Sequence, residues 1–177
     1  MLDGAPVCHG VLLEIDGQGV LLQGESGIGK SDLALALVRR GHRLVADDGV
    51  AFERRDGRLL GRCRPGFEGY MEIHGLGLID LQQLYGEAAL VAVTTLDLVL
   101  QLDSAPIPAY DGLRPVSELW ALLGIEVPAW RLPCTHQRDM PLIVETAMRL
   151  NRARQQGYDA SDSLQYRLTE LLRKETA

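Results

Sequence analysis

Short apolar runs separated by Asp-Gly punctuation fill the first third of the chain. Residues 9–15 and 20–23 read as two strands joined by Asp16-Gly17-Gln18-Gly19, which is a hairpin signal. Residues 32–40 are strong helix formers with apolar positions at helical spacing, and Gly41 stands where such a helix would be capped. Residues 43–46 predict a short buried strand ending in Asp47-Asp48, and a second hairpin follows from 50–53 and 58–61 around Asp56-Gly57. The stretch 62–80 is rich in glycine and charge and reads as loop with a short strand or turn. Residues 81–85 predict a brief helix, 90–93 and 96–102 predict strands, and 103–118, with Pro106, Pro108 and Pro115, predicts loop.

Beyond that loop the periodicity predicts a helix over 116–123 and an edge or connecting strand over 127–132. Pro141 suits the first turn of a helix running to about Gln156, with Ile143, Val144, Ala147, Met148 and Leu150 on its buried side. A last helix is capped by Ser161 or Asp162 and carries Leu164, Leu168, Leu171 and Leu172 as an apolar stripe in need of a partner. That order of elements, without repeat or linker, predicts one α/β domain over residues 1–177. The hairpin ahead of the first helix gives its strand an antiparallel neighbour, so the sheet is expected to be mixed.

Composition narrows the class. A chain of 177 residues with 46% hydrophobic content builds an ordinary globular core. The net charge of −6 argues against non-specific binding to nucleic acid or to anionic membranes. Cys8, Cys63 and Cys134 are isolated and lack metal-site spacing, as befits reduced thiols. With no basic leader ahead of an apolar run and no membrane-length stretch, the expected location is the cytoplasm.

The strongest chemical signal is Gly24-Glu25-Ser26-Gly27-Ile28-Gly29-Lys30-Ser31, a complete G-x-x-x-x-G-K-S phosphate-binding loop. Its glycines let backbone N–H groups turn toward phosphate oxygens, Lys30 brings a cation to the terminal phosphates, and the Ser31 hydroxyl suits magnesium. A strand precedes it and a helix follows, so the positive end of a helix dipole faces the phosphates. Asp47-Asp48, at the end of the next strand, offers two carboxylates near that loop: one to hold magnesium, the other to take a proton from an attacking hydroxyl. Glu72 is a candidate second metal-associated acid or a surface glutamate, with equal claim. His9 and Arg138 are isolated, and residues of that kind are more often structural or solvated than catalytic.

In combination these residues resemble the catalytic domain of the bacterial HPr kinase/phosphorylase family, which shares a distant nucleotide-binding fold with phosphoenolpyruvate carboxykinase. The resemblance rests on His9-Gly10-Val11, the phosphate loop, Arg40-Gly41-His42-Arg43-Leu44-Val45-Ala46-Asp47-Asp48, and the signature Glu72-Ile73-His74-Gly75-Leu76-Gly77-Leu78-Ile79-Asp80. Pro133-Cys134-Thr135-His136-Gln137-Arg138-Asp139 with Ile143-Val144-Glu145 extends it. It implies transfer of phosphate from ATP, or pyrophosphate, to a serine of the phosphocarrier HPr, and the reverse phosphorolysis. It further implies Gly24 to Lys30 on the donor phosphates, Ser31 on Mg2+ with Glu72 and Asp48, Asp47 as the base, His9 beside it, and Arg138 orienting phosphate or acceptor. A catalytic domain without the family's N-terminal domain is expected, assembled as a homo-oligomer such as a hexamer.

Departures from the pattern accompany the matches. His74 stands where an arginine is usual, and His136, Gln137 and Asp139 replace proline, glycine and asparagine. Histidine lacks the permanent charge and reach of arginine, so altered phosphate handling, above all in phosphorolysis, is expected. The competing reading is a regulatory protein that binds ATP and a phosphotransferase-system partner and transfers nothing. A small-metabolite kinase of ordinary Walker type fits worse, because of the hairpin ahead of the loop.

Overall fold

The computed structural model describes residues 5–135 and 137–175. Its strands are β1 (Val7–Cys8), β2 (Val11–Ile15), β3 (Gln18–Gly24), β4 (Arg43–Ala46), β5 (Val50–Arg55), β6 (Arg58–Cys63), β7 (Tyr70–Ile73), β8 (Gly77–Asp80), β9 (Val93–Asp103), β10 (Ser117–Leu122) and β11 (Ile125–Pro133). The helices are α1 (Lys30–Arg39), α2 (Leu81–Tyr85), α3 (Met140–Gln155) and α4 (Ala160–Glu175), with a 3-10 turn at Glu87–Ala89.

Both expected hairpins form. Asp16 and Gly17 have φ of 49° and 78°, and Asp56 and Gly57 have φ of 50° and 74°, so each turn has the doubly left-handed geometry that matches strand twist. The sheet is mixed: β2 pairs antiparallel with β3 and with β4, while β3 and β11 both run parallel to β9. β9 is long enough to serve in two registers. Its first residues pair with β6, and residues from Val99 onward pair with β11. Helices α1 and α3 cover one face of the sheet, burying Leu33, Leu37, Val144 and Met148 against Val20, Leu22, Leu98 and Leu100. The β5–β6 hairpin closes the other face through Phe52 and Leu59, which pack with Leu12, Leu21 and Val99. Burial of this kind contributes about 25 cal/mol per Å² of apolar surface.

The structure corrects or refines several expectations. Residues 116–123 are not a helix: β10 pairs in register with β11 from Ser117↔Trp130 to Leu122↔Ile125. On it Trp120 and Leu122 turn inward while Leu119 and Ala121 face out, and Trp120 lies 5.9 Å from Phe52, so pairing and packing override helix propensity. β11 is therefore flanked on both sides, and β10 is the edge. Residues 90–93 hold only a single bridge, Leu44 to Leu90, before β9 begins at Val93. The cap of α4 is Asp159, whose carboxylate accepts from Ser161 N at 2.8 Å. The 62–80 stretch resolves into a two-stranded β7–β8 ribbon. Among the described residues, no helix is long and apolar enough to cross a membrane.

Candidate functional site

Parallel strands bring their carboxyl ends to one edge, where ligands of open α/β sheets bind. β3 ends in the phosphate loop, β9 in the 104–116 segment, and β11 in the segment carrying Arg138. β4 is antiparallel to β2, as β3 is, so Asp47-Asp48 emerges at the same edge as the loop.

The loop's own geometry follows from its glycines. At Gly24, φ is 148° and a Cβ would lie 2.8 Å from the Leu102 carbonyl oxygen, so no side chain fits. Gly29 is left-handed at φ 96° and caps α1, whose first-turn N–H groups have no partner within the helix. Lys30 Nζ donates to the carbonyls of Gly24 and Glu25, both at 2.9 Å, which draws the ammonium across the loop. Ser31 Oγ donates to Asp47 Oδ1 at 3.1 Å.

The adjacent acids part company. Gly49 N donates to Asp47 O at 2.8 Å across Asp48, which sits at φ 58°, so a strained γ-turn separates the two side chains. Asp47 turns inward to Ser31 and also accepts from the Glu72 main-chain N at 3.3 Å. Burial pushes its carboxyl above the usual range; the Glu72 and Ser31 hydrogen bonds pull the other way. Asp48 turns outward, its Oδ1 3.6 Å from His9 Nδ1, both side chains open to solvent. Glu72 thus reaches the acid pair through its main chain, and its side chain is exposed.

Arg138 stands on the neighbouring segment, donating to the Pro133 carbonyl at 2.9 Å. That segment is held at both ends. Cys134 Sγ lies 3.7 Å from the Ile28 carbonyl of the phosphate loop, and Asp139 accepts from Arg40 at 3.2 Å while capping α3 at Leu142 N. Glu145 adds contacts to His42 at 2.8 Å and Arg40 at 3.5 Å. Burial raises the Cys134 thiol above its ordinary range, so it is no ready thiolate. His136 lies outside the described residues. Arg40, Cys134 and Asp139 stand in the sequence motifs, but their ties to one another's elements did not show there, because contacts across about a hundred residues leave no local pattern.

The HPr Serine kinase C-terminal domain model matches residues 2–168. The chain belongs to that family. It is 40% identical over 168 residues to the HPr kinase/phosphorylase of Streptococcus equinus, an alignment covering 94% of this chain and 54% of the relative. The HPr kinase/phosphorylase of Lactococcus lactis subsp. cremoris is 42% identical over 166 residues, covering 93% and 54%. Among solved structures, the Hpr(Ser) kinase/phosphatase from Coxiella burnetii superposes with a TM-score of 0.81 at 38% identity, covering 90% of this chain and 98% of that one. The chain spans about half the length of the curated relatives it matches. The mixed-sheet P-loop fold is thus the fold of the HPr kinase family.

Proposed function

We propose that this domain transfers the terminal phosphoryl group of ATP to a serine of the phosphocarrier HPr, with Mg2+. The observation that carries the proposal is the 3.1 Å hydrogen bond between Ser31 in the loop and Asp47 in the acid pair. It is the pairing of a P-loop hydroxyl with a strand-end carboxylate that holds magnesium in P-loop enzymes. Among the described residues no group of three or more His, Cys, Asp or Glu could hold a metal. Ser31 and Asp47 alone suit Mg2+, which binds through one or two protein oxygens and completes its shell with water and substrate phosphates. When bound, the ion neutralises charge on the phosphate oxygens.

In this reading the acids divide their work differently from the sequence expectation. Asp47 joins Ser31 at the metal, and Asp48, exposed beside His9, takes the proton of the acceptor serine. The serine Oγ–P bond forms, the bond from the terminal phosphorus to its bridging oxygen breaks, and ADP leaves. Gly24 to Gly29 and Lys30 hold the donor phosphates, and Arg138, from the loop's flank, orients the transferring group. Glu72 supports Asp47 through its N–H rather than by binding metal. In phosphorolysis inorganic phosphate takes the place of ADP: it attacks the phosphorus of the phosphoserine, the P–Oγ bond breaks, protonated Asp48 gives its proton to the departing serine, and pyrophosphate leaves. Three free cysteines suit a reducing, cytosolic setting. Exposed Leu164, Leu168 and Leu171 on α4 support self-association as a homo-oligomer.

Transfer of labelled terminal phosphate from ATP to purified HPr tests the proposal. Asp48→Asn is expected to reduce transfer by about 10²–10⁴-fold with ATP affinity kept, whereas Asp47→Asn weakens the magnesium dependence as well. Tight ATP binding with no transfer to HPr by the unaltered protein would favour the regulatory reading instead.

A further inference from the structure

Arg64 follows β6 and was singled out by no motif. Its guanidinium packs against Gly49, the residue after the acid pair: a Cβ at Gly49 would lie 2.9 Å from Nε and 3.2 Å from Cζ. Gly49 is not left-handed, so its backbone does not demand glycine, and a side chain there would press on the Arg64 guanidinium. The same guanidinium lies 4.7 Å from the centroid of the Phe67 ring, a cation–π seat. Phe67 is 55% exposed and contributes little to the core. Gly49 and Phe67 thus both lie against one guanidinium, beside Asp48. Arg64 takes part in none of the ion pairs among the described residues.

The geometry points to Arg64 as an oxyanion-binding residue on the acceptor side of the acid pair, where it holds the phosphoryl oxygens as they join or leave the acceptor serine. This rests on the kinase reading above. A planar guanidinium makes paired hydrogen bonds to phosphate, and one already seated on a ring and a backbone loses less freedom in doing so. The β7–β8 turn offers His74 where the family resemblance implies arginine; Arg64 supplies a permanent charge from the loop that leads into β7.

The test is calorimetric titration of inorganic phosphate onto the ADP-saturated protein, in which the loop is filled and the terminal-phosphate position is open. Arg64→Gln is expected to weaken phosphate binding about tenfold with ADP affinity unchanged. Arg64→Lys keeps the charge but not the fork and should weaken it by a smaller factor. Gly49→Ala, which displaces the guanidinium and leaves its charge, should fall in the same direction. Equal phosphate affinity in wild type and Arg64→Gln overturns the inference. Failure of ADP to bind would instead count against the kinase reading, and titration of phosphate onto the free protein then decides the role of Arg64.

Discussion

Asp47 is a half-buried carboxyl kept where a neutral group would be easier to hold. Its folded-state pKa lies above the ordinary value, so the folded chain binds that proton more tightly than the unfolded chain does. Stability therefore falls as pH rises between the ordinary and the raised value, and the full penalty is present at neutral pH. Asp47→Asn keeps an acceptor for Ser31 and Glu72 and removes the charge. At pH 7 its Tm should exceed wild type by on the order of 2 °C, with the gain shrinking as pH falls from the raised value toward the ordinary carboxyl value and absent below it. A gain that does not vary with pH would show that charge burial is not the cause. At this scale the phosphate loop was fully legible, because its chemistry is local. The split of Asp47 from Asp48 was not: φ at Asp48 is set by β4 and β5, which the chain must first bring together.

Elements were legible wherever the turn announced itself. Asp16-Gly17 and Asp56-Gly57 are turn dipeptides, and both hairpins were read correctly. The β10–β11 hairpin turns at Leu123-Gly124, with Leu123 at φ 50°, and leucine sends no turn signal. Its strain offers a prediction: Leu123→Asn tolerates the left-handed position and should stabilise the chain by about 1 kcal/mol, seen as a higher urea midpoint at unchanged m-value. No increase would mean that burial of the leucine offsets the strain. A second prediction concerns the tie between α1 and α3. Glu145 is largely buried and accepts from His42 and Arg40. Glu145→Ala leaves both without that acceptor and should cost about 1–3 kcal/mol, measurable in the same denaturation experiment. Because this tie steadies the segment bearing Arg138, its loss should also lower transfer to HPr more than it lowers ATP affinity.

For the whole molecule, the class of fold followed from element order, and its family from the phosphate loop, the acid pair and the Glu72 signature together. The fate of α4 did not follow. Among the described residues Leu164, Leu168 and Leu171 belong to neither buried cluster and are 52%, 51% and 58% exposed. If they join copies, Leu168→Glu with Leu171→Glu should lower the mass seen by light scattering while the far-ultraviolet spectrum stays the same. An unchanged mass would remove α4 from the assembly. β9 bears on the molecule in another way. Its central amides lie between two ladders, one shared with the loop strand and one with the strand leading to Arg138. Such protons exchange with solvent only when the whole domain opens. Deuterium uptake at Val99 to Leu102 should therefore report global unfolding alone, and both flanks of the donor site share a single cooperative unit. The two strands that frame the phosphate loop should then be lost, or kept, together with the fold.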